Sequence, residues 1–211
     1  MEDQSAQDLF NNEMVTTFVT RAAEYCTFVE NAGNFSKAGF VQKSIRLLSS
    51  LYATMAEMPD ITNATDSVNQ QFVDENDWHR IYHQVTQKLG YHGDYVDVYD
   101  PVAREDQDVS IVSLGDNFAD IYQDLKNFVT LYGMGNEQVM QDALWECRMN
   151  FEEYWGPKLL SALRVLHRVF FSEENLEEEE PEEGQDQDQD QSTRPNWLFE
   201  KKQQQYKKRD K

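Results

Sequence analysis

The amino-acid sequence predicts an all-α fold, an up-and-down bundle of five or six helices over about residues 7–171, followed by a disordered acidic C-terminal tail. Three observations predict this class. Apolar side chains recur at steps of three and four residues through long stretches, as they do on one side of an α-helix. Glycine and proline interrupt these stretches. Most connections between them are short, which favours antiparallel neighbours.

The first two predicted helices are separated by a glycine-containing break. The first covers about residues 7–31, and Ala32-Gly33-Asn34 ends it. Ser36 can cap the second helix, because its hydroxyl accepts an N–H group from the first turn. The second helix runs to about Met58, since Pro59 cannot continue it. The two apolar faces are Phe10, Met14, Phe18, Ala22, Tyr25 and Val29, and Phe40, Val41, Leu48, Leu51, Tyr52 and Met55.

The third predicted helix follows a polar loop over residues 60–72. It begins near Asp74 and ends at Gly90, with an inward face made of Trp78, Ile81, Tyr82, Val85 and Leu89. The connector over residues 91–101 fits two patterns. Its tyrosines are spaced for one helix face, whereas its valines alternate as in a β-strand. Residues 102–112 are predicted to form a surface loop.

Two long helices are predicted between Ser113 and His167. Gly133-Met134-Gly135 ends the first, because glycine tolerates the left-handed conformation of many helix ends. Asn136 can cap the second, and Gly156-Pro157 is predicted to bend it, since proline removes a helix hydrogen bond. The apolar faces are Leu114, Phe118, Ile121, Leu125, Phe128 and Tyr132 in the first helix, and Met140, Ala143, Leu144, Cys147, Phe151 and Tyr154 in the second.

The net charge of −20 is distributed unevenly along the chain. Residues 1–172 carry 26 acids and 12 bases, residues 173–191 carry 11 acids and no base, and residues 192–211 carry 2 acids and 7 bases. An acidic body of this kind repels nucleic acid and anionic membranes, which we therefore exclude as partners. Both cysteines, Cys26 and Cys147, fall on predicted apolar faces. Without an export signal or a long apolar run, the sequence predicts a cytoplasmic protein with reduced thiols.

The composition predicts three parts: a helical bundle domain over residues 1–172, a disordered acidic linker over 173–194, and an aromatic-basic C-terminal segment over 195–211. The linker is low-complexity and has almost nothing apolar to bury. In the C-terminal segment, a short helix could present Trp197, Leu198 and Phe199 ahead of a basic end. Aromatic side chains beside basic ones are typical of short segments that bind a partner.

Several stretches of the chain resemble a bacterial helical family catalogued as domain of unknown function 5063. The stretches are DIYQDLKNFVTLY (120–132), DALWECRMNFEEYWG (142–156), ALRVLH (162–167), RAAEYCTFVE (21–30) and ENDWHRIYHQV (75–85). The resemblance covers roughly residues 10–170. It implies an all-helical bundle without an established activity, a cofactor or catalytic residues. The C-terminal segment lies outside it.

An acidic row in the last two long helices is a candidate metal site. Asp116, Asp120 and Asp124 follow one another at helical spacing, and Glu146, Glu152 and Glu153 lie on the next helix. Carboxylates converging from two helices can bind Mg²⁺ or Mn²⁺ and support hydrolysis. A metal-dependent hydrolase using Asp120, Asp124, Glu146 and Glu153 is therefore one possible function. The simpler interpretation is a solvated acidic face.

Two histidines in the third helix are a second candidate metal site. His79 and His83 are one turn apart and share a face, as zinc ligands on helices do. A catalytic site needs a third ligand, for which Glu75 and His92 are nearest. The helical wheel places both histidines beside the apolar stripe, so a solvated flank is the simpler interpretation.

Trp145 and Trp155 enclose a third candidate. Glu146 and Asn150 lie between them and are predicted to be half-buried, with Arg21 or Arg148 as partners. This group could be a structural hydrogen-bond network or a polar ligand pocket.

No phosphate-binding glycine loop, nucleophile elbow or Cys-X-X-Cys pair is present, and no cofactor is implied. The sequence favours a non-catalytic protein-interaction or adaptor module. Trp197, Leu198 and Phe199 are then the partner-binding residues, and the partner is another protein or the acidic body of the same chain.

Overall fold

The computed structural model describes residues 9–65, 69–97 and 110–172, together with Leu176. Within these residues the predicted all-α class is confirmed. The second of the two long helices predicted after Ser113 contains π-helical residues, so the bundle has five or six long helices, depending on whether the two halves of that helix are counted separately. The helices are α1 (Glu13–Glu30), α2 (Lys37–Ala56), α3 (Glu75–Leu89), α4 (Leu114–Tyr132), α5 (Glu137–Asn150) and α6 (Gly156–Phe170).

The first helix is interrupted near its predicted start. Leu9 and Phe10 are helical, but Asn12 then caps a new helix by accepting the backbone N–H of Met14 at 2.8 Å. Asparagine readily makes this bond, which competes with a continuous helix. The predicted helix over 7–31 is therefore broken at Asn12. The rest of its apolar face is buried as predicted, namely Phe18, Ala22, Tyr25 and Val29.

The predicted boundaries of α2 and α3 are confirmed within two residues. Ser36 caps α2 by accepting the N–H of Gly39, and Asp74 caps α3 by accepting the N–H of Asp77 at 2.8 Å. Gly90 ends α3 with a positive φ of 57°. Between the two helices, the described part of residues 57–74 contains no helix or strand, as predicted for a polar loop.

A short antiparallel pair of strands precedes α4. Strand β1 (Asp94–Asp97) pairs with β2 (Ser110–Ser113), so residues 110–112 are not the surface loop that the sequence predicted. Residues 94–97 of the connector are therefore a strand rather than a helix, with Tyr95 buried and Tyr91 half-exposed, and residues 98–109 lie outside the described residues. Tyr95 is fixed by Asn117, whose side chain donates to its hydroxyl oxygen at 2.6 Å.

The connection between α4 and α5 follows the predicted chemistry with one difference. The left-handed residue is Gly135, with φ of 73°, whereas Gly133 stays right-handed. Asn136 caps α5 by accepting the N–H of Val139.

Residues Phe151–Trp155, just before the Gly156-Pro157 pair at which the sequence predicted a bend, form a π-helical segment between α5 and α6. Gly156 donates its N–H to the carbonyl of Phe151, five residues back. This wider turn contains one extra residue, so it rotates the side chains that follow. Tyr154 is consequently half-exposed rather than buried as the sequence predicted, and Trp155 takes the fully buried position.

Helix α4 lies at the centre of the bundle and contacts α1, α3, α5 and α6, while α2 packs on α1 and α6. Aromatic rings fill the space between α1, α4 and the π-helical segment, as where Phe18 lies against Phe128 and Trp155. Among the described residues, none of the helices combines the length and the apolar character that crossing a membrane requires.

Candidate functional site

A row of polar side chains lines the contact between α4 and α5, and we call it the polar seam. Each helix contributes residues at steps of three or four, so that they share the face turned towards the other helix. Because these groups are half-buried or buried, each of them needs a hydrogen-bond partner. The polar seam consists of Asp120, Asp124 and Asn127 from α4 and Asp142, Glu146 and Asn150 from α5.

Asp142 holds the loop over residues 57–74 against α5. Its carboxylate accepts the backbone N–H groups of Ala64 and Thr65 and also the hydroxyl of Thr65. The side chain of Asp142 is 5% exposed, so these three bonds replace its lost hydration.

Two further members of the polar seam hold the same loop. Asn127 accepts the backbone N–H groups of Phe72, at 2.7 Å, and Val73, at 3.1 Å. Its amide nitrogen donates to Gln71. Glu146 accepts a hydrogen bond of 2.6 Å from the side chain of Asn69. The loop after α2 is therefore held on the α4–α5 contact by Asp142 and Asn127, which bind its backbone N–H groups, and by Glu146, which binds the side chain of Asn69.

Asp120 is buried at the other end of the polar seam. Its carboxylate accepts a hydrogen bond from the indole N–H of Trp78 at 2.8 Å. It also forms an ion pair with Lys158 of α6. These contacts connect α3, α4 and α6 through one carboxylate. A metal ion at Asp120 would have to replace Lys158, because the two cations would repel each other.

Asp124 has a strongly perturbed carboxyl group. Burial raises its pKa to about 6, the hydrogen bond from Asn150 opposes this rise, and the nearby charges of Asp120 and Glu146 add to it. The positive charge of Lys158 lowers the pKa of Asp124 by a smaller amount. A carboxyl group with this pKa exchanges a proton close to neutral pH.

A small cavity lies beside Asp124. It has a volume of about 20 Å³, and its polar lining comprises Gln71, Asp124, Asn127, Glu146 and Asn150. A cavity of this size admits about one water molecule. The cavity is large enough to hold one water molecule beside Asp124.

The structure brings together three of the four residues of the predicted hydrolase site. Asp120, Asp124 and Glu146 are electrostatically coupled, whereas Glu153 is exposed on the π-helical segment. Over residues 9–65, 69–97 and 110–172, no group of three or more histidine, cysteine, aspartate or glutamate side chains is arranged to hold a metal ion. Asp116 lies on α4 outside the polar seam.

The predicted histidine pair lies on an exposed flank of α3. The rings of His79 and His83 are stacked with their centroids 6.2 Å apart. His79 Nε2 is 3.6 Å from a carboxylate oxygen of Glu75, one turn before it. The pair thus shares a face, as predicted.

The tryptophan group is partly as predicted. Trp155 is buried and donates its indole N–H to the carbonyl of Cys147 at 3.1 Å, while Trp145 is half-buried. Glu146 and Asn150 are half-buried as predicted. The prediction of their partners was wrong, because Arg21 pairs with Glu24, and Arg148 pairs with Glu152 and the carbonyl of Met55.

Sequence reasoning missed Asn127 and Asp142, the two residues that bind the most loop backbone. The signal that could have found them is the spacing of Asp142, Glu146 and Asn150, which is one helical turn at each step. The predicted partner-binding residues Trp197, Leu198 and Phe199 lie outside the described residues.

The sequence and the fold of this chain are similar to those of known proteins. The sequence pattern of the family described as "Domain of unknown function (DUF5063)" matches residues 10–172. The crystal structure of protein BF1032 from Bacteroides fragilis is similar, with a TM-score of 0.70 and 28% sequence identity. The similarity covers 79% of this chain and 98% of the other. No curated protein matches the chain.

Proposed function

The chain belongs to the family described as Domain of unknown function (DUF5063), and from this premise we propose that it is a non-catalytic interaction module. In this proposal the helical bundle is a scaffold, and the C-terminal segment binds another protein through Trp197, Leu198 and Phe199. The surface of the other protein to which this segment binds is acidic and contains an apolar groove.

The use of the polar seam supports a scaffold rather than an enzyme. The loop over residues 57–74 donates hydrogen bonds to Asp142, Asn127 and Glu146. The charge of Asp120 is balanced by its ion pair with Lys158. A hydrolase needs carboxylates that are free to bind a metal or a substrate. No observation on the described residues favours the alternative hydrolase that would use Asp120, Asp124, Glu146 and Glu153.

The composition of the C-terminal segment carries the proposal. The family pattern ends at residue 172, so the segment is an addition to the matched domain. Each large aromatic side chain offers roughly 150–250 Å² for burial. At about 25 cal/mol per Å², binding of the three apolar side chains contributes several kcal/mol before ordering costs are subtracted. Lysine and arginine around them add attraction to an acidic surface, and added salt weakens it.

We also propose a cytoplasmic location. Cys26 and Cys147 are buried free thiols, and burial raises the pKa of Cys26 to about 12. Neither thiol is therefore activated for metal binding or redox chemistry, which fits structural cysteines in a reducing compartment.

A labelled peptide of residues 194–211 tests the binding role. We expect its fluorescence anisotropy to rise with an extract of the native bacterium and to fall when salt is added. Titration with residues 1–172 distinguishes a separate partner from the chain's own acidic body. The Trp197→Ala peptide is the control and should bind at least tenfold more weakly. Equal binding by both peptides would refute the assignment of Trp197.

Metal analysis tests the competing function. Elemental analysis of the purified chain, with thermal shifts in Mn²⁺, Mg²⁺ and Zn²⁺, should show neither stoichiometric metal nor stabilisation. Near-stoichiometric metal that is lost on Asp124→Ala would favour the hydrolase instead.

A further inference from the structure

The outer side of α6 presents apolar groups to solvent. Leu160 is 47% exposed and Phe171 is 68% exposed, and a groove of about 280 Å³ is lined by Pro157, Leu160, Ser161 and Arg164. From Pro157 to Phe171 the exposed positions recur at steps of three and four residues, so they form one stripe. Glu153 is exposed on the π-helical segment just before this stripe. We call the stripe together with Glu153 the α6 outer face, and it consists of Glu153, Pro157, Leu160, Arg164, Arg168 and Phe171.

Charges of opposite sign lie at the two ends of the α6 outer face. Glu153 lies at its start and Arg168 near its end, and both are exposed. At a rise of 1.5 Å per residue they are about 22 Å apart, which is too far for a bond within one helix. The salt bridges of the described residues include neither of them. Leu160 lies almost halfway between them in the sequence.

We propose that the α6 outer face binds a second copy of this chain, with the two α6 helices antiparallel across a two-fold axis. In this register Glu153 of each copy pairs with Arg168 of the other, which makes two equivalent salt bridges. Leu160 then lies beside the axis and packs against the same residue of the second copy. A two-fold interface needs such a self-complementary surface.

The charge layout favours a second copy over other occupants. The C-terminal segment of this chain is basic and would meet Arg164 and Arg168 with charge of the same sign. An acidic partner would be repelled by Glu153 and by the net charge of the body. A surface that is acidic at one end and basic at the other matches both ends, and the α6 outer face of a second copy has that pattern.

The contact is small, so the dimer is expected to be weak. One helix face of five turns falls in the size class of transient interfaces. Each copy also carries a net charge of −20, which opposes association. We expect a dissociation constant on the order of 10–100 µM.

Sedimentation velocity of the full chain over roughly 5–500 µM tests the proposal. The wild type should shift from monomer to dimer across this range. Arg168→Glu and Glu153→Arg should each weaken the dimer at least tenfold, because each brings two like charges together. The double variant with both changes should restore wild-type affinity to within about threefold, since both salt bridges re-form with reversed polarity.

Leu160→Asp should abolish the dimer, while Ile111→Asp, a matched change at an exposed residue of β2, should leave it intact. Circular dichroism checks that every variant is folded, as expected for exposed positions. A wild type that stays monomeric at the highest concentration would overturn the proposal, as would a double variant that fails to recover. A dimer that survives Leu160→Asp overturns it too. Binding of the labelled 194–211 peptide that Leu160→Asp abolishes would assign the face to the C-terminal segment instead.

Discussion

Asn150 donates a hydrogen bond of 2.6 Å from Nδ2 to Oδ1 of Asp124, and this is a neutral partner for a buried carboxylate. The neighbouring acids add repulsion, and the pKa of Asp124 is raised to about 6 as a result. The polar seam therefore contains a group that is costly to ionise. It can be replaced by a neutral side chain of the same shape if it has no catalytic task.

Asp124→Asn is expected to stabilise the fold above neutral pH. The folded pKa lies above the ordinary value of 3.8, so ionisation of Asp124 opposes folding and its cost is complete above about pH 6. At pH 8 the variant should gain about 1–3 kcal/mol in the free energy of unfolding, and the gain should disappear towards pH 4. Urea titrations of both chains at several pH values measure this difference.

Asp116→Asn controls for the loss of one negative charge on the same helix outside the polar seam. A loss of stability in Asp124→Asn at pH 8 would show that the fold needs the carboxylate. That result would point to a bound cation and would revive the hydrolase.

Asp142→Ala should release the loop over residues 57–74 from α5. The change removes the acceptor of two backbone N–H groups and one hydroxyl, at a cost of about 2–3 kcal/mol. Hydrogen exchange followed by mass spectrometry should show faster exchange at Ala64 and Thr65. Gln138→Ala, at an exposed position of the same helix, is the control. Unchanged protection in Asp142→Ala would mean that other contacts hold the loop.

Gly156→Ala should disrupt the π-helical segment. A β-carbon at this position would lie 2.3 Å from the carbonyl oxygen of Phe151 and about 3.0 Å from its ring, so the backbone must move. We expect a loss of about 2–4 kcal/mol, measured by urea unfolding. Gly33→Ala is the matched control, because a β-carbon there meets no atom within 4 Å. Equal stability of the two variants would contradict the close approach.

Helix positions were predictable because each depends on nearby residues. Ser36, Asp74 and Asn136 form the caps that their side chains indicate, and the apolar stripes are buried on the expected sides. The break at Asn12 was missed, because an asparagine inside a regular apolar pattern is compatible with two structures. It can lie in a continuous helix, or its side chain can cap the start of a new helix. The exposure of Tyr154 was missed because the π-helical turn changes the phase of the helix, and no local pattern showed this turn.

The polar seam was predictable only in part. The sequence indicated that Asp120, Asp124 and Glu146 lie on facing sides of two helices, but their partners are up to 77 residues away in the chain. Spacing along a helix shows which residues face the same way. It does not show what binds those residues, which here is a loop or Lys158 rather than a metal ion.

Quantitative affinity purification of the full chain from the native bacterium tests the central claim most directly. The proposed interaction module predicts a co-purifying protein that falls at least tenfold in the Trp197→Ala/Phe199→Ala variant and is lost at high salt. The protein should remain with Ile111→Ala, a matched loss of an exposed apolar side chain. Cross-links should join residues 195–211 to an acidic groove on that protein. The same co-purifying proteins from all three chains, with no cross-link to this segment, would contradict the account.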